Sequence, residues 1–336
     1  MSAEPSTDDA DALLAAPLRP YLNVSPLLIA VSGGPDSTAL MHRAARLGSA
    51  YPIHVATVDH GLRPESIVEA RKVGLAARAL GLPHHILTWE GDKPSRGIQA
   101  AARNARYGLL AECAGLIGAE TVLTGHTADD QAETVLMRLF AGSGPTGLAG
   151  MRRERELAPG LRLARPFLHI RKADLVAYCD RHGLEPLRDP SNADERFARA
   201  RLRRLIPDLA TEGLDPERLC RLADRMARDE EALLQAARTA LAAHRVPART
   251  DVVLDGQALA ALPDAILLRA VDLALSEAGG GGSQRLERLE RLVFEDLRPA
   301  LAAGVPIRRT LRGILVDLGE DGVLSFGRAP ARRSPS

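Results

Sequence analysis

The chain has 336 residues with 44 basic and 43 acidic side chains, so a net charge of +1 singles out neither a polyanion nor a membrane surface as partner. That length allows two domains with full-sized cores. Three widely spaced cysteines, Cys113, Cys179 and Cys220, form no CxxC pair and argue against a disulfide framework or a zinc site. The basic residues are lopsided: Lys72, Lys93 and Lys172 are the only lysines and the other 41 are arginine, a side chain suited to phosphate contacts. The N-terminus, MSAEPSTDDADALL, is acidic and polar, unlike a signal peptide, and no apolar run reaches membrane-spanning length. A soluble, cytoplasmic protein is expected.

In chain order, residues 1–25 read as a flexible lead-in with a short helical piece around Ala10 to Leu18. Strands are predicted at 27–32, 52–58, 84–88 and 120–125, and helices at 36–47, 64–80, 97–117 and 128–140. Strands alternating with long helices predict an α/β fold with a doubly wound parallel sheet, whose ligands bind at the carboxyl ends of the strands. Ser32 to Ser37, Asp59-His60-Gly61 and Gly125-His126 all fall at such ends. Residues 141–156, glycine-rich and then charged, read as a linker or flap. A helix at 170–182, a turn and a basic helical run follow. One long helix is predicted from Gly213 to about His244, and it serves as a boundary between domains. The remainder reads as a small α+β domain with helices at 263–277 and 283–298, the flexible GGGGS at 279–283, a hairpin around Gly319 to Gly322 and a frayed tail. The predicted domains are therefore 26–210, a helical linker at 211–245, and 246–330.

The most informative stretch is LLIAVSGGPDSTALMHRAARL, residues 27–47. An apolar strand breaks at Ser32-Gly33-Gly34-Pro35-Asp36-Ser37-Thr38 and a helix begins. Glycines at a strand end, followed by a helix N-terminus, make an anion cradle suited to phosphate. No lysine follows, so this is not a GxxxxGK[ST] loop. Asp36 would repel phosphate unless a divalent cation stood between them, which implies Mg²⁺. In GHTADDQAETVLMRLF, residues 125–140, His126, Asp130 and Glu133 share a helix face. Two carboxylates there suit an amino group or a metal, and His126 suits phosphate contact or proton transfer. Thr127 with Asp130 three residues on also reads as a helix-capping box. Arg103 and Arg106 lie on a predicted helix, where solvated arginines are the commoner case. Arg196, Arg199, Arg201, Arg203 and Arg204 form a basic patch that suits a phosphate backbone as well as a solvated face.

The SGGPDS stretch at 32–37 resembles the pyrophosphate loop of the N-type ATP pyrophosphatases. Six further stretches narrow the resemblance: VDHGLR at 58–63, ARNARY at 102–107, GHTADDQAET at 125–134, GSGPTGLAGM at 142–151, Arg165-Pro166, and DPSNADERFARARLRRLIP at 189–207. In that order they are similar to the tRNA(Ile)-lysidine synthetase family, over most of residues 27–207. The resemblance implies ATP and Mg²⁺ as requirements, with free L-lysine and a CAU-anticodon tRNA(Ile) as partners. The wobble cytidine would be adenylated and then attacked by lysine. By the same resemblance Ser32, Gly33, Gly34, Pro35, Asp36 and Ser37 hold the phosphates, Asp36 holds the metal, and Val58 meets the adenine. Arg106 and His126 support adenylation, Asp130 and Glu133 bind lysine, and the five arginines at 196–204 contact tRNA. The chain departs from the family pattern at Ala141, where arginine is common, and at Ala200, where asparagine is usual. A homodimer is left open. The rival readings are a sister enzyme that thiolates tRNA, disfavoured by the lack of paired cysteines, and a non-catalytic nucleotide- or RNA-binding module.

Overall fold

A computed structural model describes residues 7–62, 65–94, 97–187, 198–247, 252–281 and 286–330. Two compact units emerge from the packing. The first holds residues up to Ala141 and Ala149–Ala223, and the second holds Gly142–Leu148 and the chain from Asp224 on.

In the first unit, α1 (Thr7–Ala15) leads to β1 (Leu27–Ala30), α2 (Pro35–Leu47), β2 (Ile53–Asp59), α3 (Ser66–Ala79), β3 (His84–Thr88), α4 (Ile98–Ile117), β4 (Thr121–Thr124) and α5 (Ala128–Phe140). The predicted strand–helix alternation is therefore present, with boundaries within about three residues of those expected. The sheet runs β3-β2-β1-β4 in parallel, and β1 is hydrogen-bonded on both sides, to β2 and to β4. Its sequence LLIA is apolar at every position because both faces are covered. Leu27 and Ile29 pack with Leu40, Val73 and Tyr178 on one face, while Leu28 packs with Leu110, Cys113 and Ala114 of α4 on the other. The sheet thus has helices on both sides, as in a doubly wound α/β fold.

Two expectations are corrected here. The lead-in is not a loose end throughout: Leu14, Leu18, Tyr21 and Leu22 are buried in the main core, and Asp11 of α1 meets Arg43 and His182. The stretch after Phe140 is also more than a flap. It holds α6 (Pro145–Leu148), then β5 (Glu154–Ala158) and β6 (Leu161–Ala164), and β6 extends the sheet beside β4 with β5 antiparallel at the edge. The charges of ERELA hid β5, and an exposed edge strand tolerates them because only one side is paired.

After β6 come α7 (Lys172–Arg181), α8 (Ala198–Thr211) and α9 (Pro216–Ala243). Ala132, Val135 and Leu136 of α5 pack with Leu202 of α8 and with Leu219 and Ala223 at the start of α9. The second unit carries an antiparallel sheet in the order β7 (Val252–Asp255), β10 (Val323–Arg328), β9 (Ile314–Leu318), β8 (Ile307–Leu311). The expected turn at Gly319 to Gly322 joins β9 to β10. Helices α10 (Gly256–Ala260), α11 (Asp264–Glu277), α12 (Leu286–Glu290) and α13 (Arg298–Ala303) accompany this sheet, with a π-helical segment at Arg291–Leu297 between the last two. Leu254, Val271, Val293, Val316 and Phe326 are central to its core.

Within the second unit, Glu230 of α9 is buried and accepts hydrogen bonds from Arg269 of α11 and from the Thr146 hydroxyl at 2.9 Å. Removing one member of a buried pair strands the other charge. Glu230→Ala is therefore expected to destabilise this unit by about 3–5 kcal/mol. Urea unfolding followed by hydrogen exchange in α9 and α11 checks it, and wild-type protection there would contradict the expectation.

Candidate functional site

The strand β1 ends at Ala30, and the chain turns through Ser32-Gly33-Gly34 into α2. Gly33 adopts φ +90°, a left-handed conformation that side-chain-bearing residues rarely take. Its carbonyl accepts the Leu187 N–H at 2.8 Å and the Thr38 hydroxyl at 3.1 Å, which ties the turn down from both sides. Ser37 Oγ donates to the Gly34 carbonyl at 3.1 Å and accepts the Ser32 N–H at 3.2 Å. Pro35 opens α2 where no N–H is needed. The first-turn N–H groups of such a helix have no acceptor inside it, so they are available to an anion. Gly125 completes the cradle: a Cβ there would stand 2.9 Å from the Asp36 carbonyl carbon, so only glycine lets the end of β4 approach the start of α2 so closely.

A cavity of about 520 Å³ opens at the carboxyl ends of β1, β2 and β4. Ser32, Gly34, Asp36 and Ser37 line it, as do Arg106, His126 and Asp130. Ala30, Val31, Ala56 and Val58 supply apolar wall. Most of the residues expected to bind ATP or to support its chemistry therefore share one crevice.

Asp36 is the most perturbed acid in it. One carboxylate oxygen lies 3.4 Å from Lys172 Nζ, while the other, Oδ1, is buried with no hydrogen-bond partner among the described residues. Burial pushes its pKa up to about 6; Lys172 opposes that shift, and Asp130 and Asp129 add to it. A buried carboxylate oxygen with nothing to bind, beside a phosphate cradle, fits a divalent cation held by one carboxylate and phosphate oxygens.

The second motif divides its labour among neighbours. Asp130 Oδ2 accepts the Thr127 N–H at 2.9 Å, and Thr127 Oγ1 accepts the Asp130 N–H at 3.3 Å, so the capping box is real. Asp130 also lines the cavity, so capping and facing the ligand are compatible. Asp129 accepts the Lys172 N–H at 2.7 Å and anchors the first turn of α7, which in turn presents Lys172 to Asp36. Glu133 is not among the cavity-lining residues. It is fully buried and its Oε1 receives Arg203 Nε at 2.7 Å. One expected tRNA-contacting arginine is thus turned toward an expected lysine-binding carboxylate. Arg201 and Arg204 are exposed on α8, whereas Arg196 and the Arg199 side chain lie outside the described residues.

Lys172 and His60 were absent from the sequence-derived site. His60 lines the cavity with a buried Nδ1 that has no partner among the described residues, and burial, then Arg106, hold its pKa below the ordinary value. The VDHGLR stretch placed His60 at a strand end. Nothing local marked Lys172, which reaches Asp36 from far along the chain.

Residues 8–209 match the family model described as a PP-loop domain. The chain is 53% identical to the tRNA(Ile)-lysidine synthase of Methylobacterium nodulans, over 92% of this chain and 91% of that protein. It is 46% identical to the enzyme of the same name from Rhodopseudomonas palustris, over 91% of each. Among solved structures, the U34-tRNA thiolase NcsA from Methanococcus maripaludis aligns with a TM-score of 0.56 over 65% of this chain and 78% of that one. At 14% identity that likeness speaks for the fold alone. A PP-loop cradle at the end of β1, with relatives matched at these identities along nearly their whole length, means that the chain belongs to the tRNA(Ile)-lysidine synthase family.

Proposed function

We propose that this protein uses ATP to join lysine to C2 of the wobble cytidine in a tRNA(Ile) with a CAU anticodon. The observation that carries the reading is the single cavity in which the phosphate cradle of Ser32 to Ser37 meets Arg106, His126 and Asp130. The loop N–H groups and the α2 N-terminus bind the phosphates, and the apolar wall of Ala30, Val31, Ala56 and Val58 receives the nucleoside. Asp36, whose Oδ1 is buried without a partner among the described residues, would hold Mg²⁺, which would supply positive charge against the phosphates. Cytidine O2 attacks the α-phosphorus and pyrophosphate leaves. Arg106 and His126 stabilise charge building on the phosphoryl oxygens. The lysine side-chain amine then attacks C2, the C2–O2 bond breaks, and AMP departs with that oxygen while the amine loses a proton. Asp130 draws the cationic amino acid toward the activated base and takes the ammonium proton that must leave before the amine attacks. The proton lost after attack passes to solvent, and Glu133 acts through Arg203. Arg196, Arg199, Arg201 and Arg204 contact the tRNA, and residues 246–330 take part in its recognition.

The test is incorporation of radiolabelled lysine into unmodified tRNA(Ile) transcripts with ATP and Mg²⁺, comparing cytidine with uridine at the wobble position. Label with cytidine alone is expected. AMP release with a different tRNA and no lysine label would move the reading to a sister tRNA-modifying enzyme on the same cradle.

A further inference from the structure

We propose that Tyr107 and the arginines around it, Arg103, Arg155 and Arg165, form a seat for a backbone phosphate of the substrate RNA, joined to the reaction cavity through Arg106. The choice of RNA as the polyanion rests on the function proposed above; the seat itself rests on its geometry.

Three guanidinium groups surround the Tyr107 ring, with Arg155 Cζ at 4.8 Å from its centroid, Arg103 at 5.2 Å and Arg106 at 5.6 Å. Arg165 adds its charge beside the same side chain. These residues come from separate elements. Arg103, Arg106 and Tyr107 lie on α4, Arg155 lies on the edge strand β5, and Arg165 directly follows β6. Tertiary packing therefore gathers them, and all belong to the first unit.

Such a gathering of cations is costly unless something compensates. Several arginines elsewhere on this protein are paired with carboxylates, as Arg171 is with Asp174, Arg245 with Glu277 and Arg308 with Asp317. None of the four arginines around Tyr107 forms an ion pair with a carboxylate among the described residues, and Asp130 is the acid whose charge Arg106 feels. They are organised instead by a neutral ring. Cation–π contact orients guanidinium groups without cancelling their charge, so the positive potential stays available to a ligand. Burial alone would raise the Tyr107 hydroxyl, but Arg106, Arg103, Arg165 and Arg155 together pull it below its ordinary value. Arg165 is 2% exposed, and although one terminal nitrogen donates to the Arg152 carbonyl at 2.7 Å, its Nε is buried with no hydrogen-bond partner among the described residues. A charged side chain with an unmet donor at that depth is expensive in the free protein and is offset when an anion arrives. Arg103 and Arg155 are exposed, so a large polyanion can reach the seat. Arg106 belongs to both the cluster and the cavity, which puts the seat one residue from the chemistry. A phosphate bound there would fix the register of the nucleotide entering the cavity, since phosphate contacts position a nucleic acid rather than read it.

The experiment measures binding of a tRNA(Ile) transcript by fluorescence anisotropy across a range of NaCl, without lysine. It compares the wild type with an Arg103→Gln, Arg155→Gln double variant, both surface changes, and with Tyr107→Phe and Tyr107→Leu. Loss of that one phosphate contact should make the slope of log affinity against log salt shallower by about 0.7–0.9. Tyr107→Leu should weaken binding several-fold and Tyr107→Phe less, because phenylalanine keeps the ring. ATP affinity by calorimetry should stay within about twofold of wild type in the double variant, for seats of this kind contribute to RNA contacts. An unchanged slope in the double variant, with lysine incorporation at wild-type rates, would overturn the seat and leave the proposed function standing. A fall in ATP affinity with an unchanged RNA slope would show that the cluster serves nucleotide phosphates instead, and would overturn it too. Absence of RNA binding by the wild type would overturn the seat and the functional reading together.

Discussion

Asp36→Asn is expected to abolish ATP-dependent AMP and pyrophosphate formation, lowering kcat/KM by about 10²–10³-fold or more, while leaving the protein folded. The carboxylate sits inside the cradle with Oδ1 buried and unmet among the described residues, and asparagine there would keep the shape while losing the charge that would hold a divalent cation. The same substitution should act oppositely on the stability of the metal-free protein. Burial raises the Asp36 pKa from its ordinary 3.8 to about 6, so the folded state holds the proton more tightly than the unfolded chain does. Stability attributable to this group is then complete below about pH 4 and is lost as the pH rises through 6. A shift of that size corresponds to roughly 3 kcal/mol at pH 7. Relative to wild type, Asp36→Asn should gain little near pH 4 and most of that amount at pH 7, read by urea unfolding at each pH. Lys172, which loses its partner, is partly exposed and adds little to the balance. A variant equally active with ATP would remove Asp36 from metal binding, and a stability difference independent of pH would remove the argument from burial.

Glu133→Gln is the second large effect. It strips Arg203 of a charge-assisted hydrogen bond of about 1.5–3 kcal/mol, and the freed cation, which already feels Asp130, should compete with lysine and raise the lysine concentration needed for half-maximal rate by about 10–100-fold. The ATP requirement should change by no more than a few-fold. Glu133 is buried and holds Arg203, so it acts on the site through that arginine rather than from the cavity wall. Asp130 needs a sharper comparison, because it also closes the capping box at the start of α5. Asp130→Asn keeps an acceptor for the Thr127 N–H and loses the charge, whereas Thr127→Ala loses the cap and keeps the charge. The first should raise the lysine requirement with little change in melting temperature. The second should cost about 1 kcal/mol of stability with the lysine requirement intact. If both variants changed only stability, Asp130 would be a capping residue and nothing more.

The reach of local sequence is visible in these two sites. The strand at 27–30, the Gly33-Gly34 turn and α2 follow from neighbours a few positions apart, where apolar runs, glycine and helix-starting residues act directly on the backbone. For the same reason His126, Asp130 and Glu133 could be placed on one helix, and the cradle, the ATP chemistry and the family were legible in the residues themselves. Sequence spacing could not say that Glu133 would face Arg203, 70 positions away, or that Asp36 would meet Lys172. It did not reveal the edge strand β5, whose charges are allowed only because no strand covers its outer side. Nor did it show that Arg155 and Arg165 would join Arg103 and Arg106 around one tyrosine. Backbone conformation answers to short-range sterics and periodicity, which a sequence displays. Which charges meet, and which remain unpaired, depends on how the helices settle on the sheet, and that is decided only when the whole core packs.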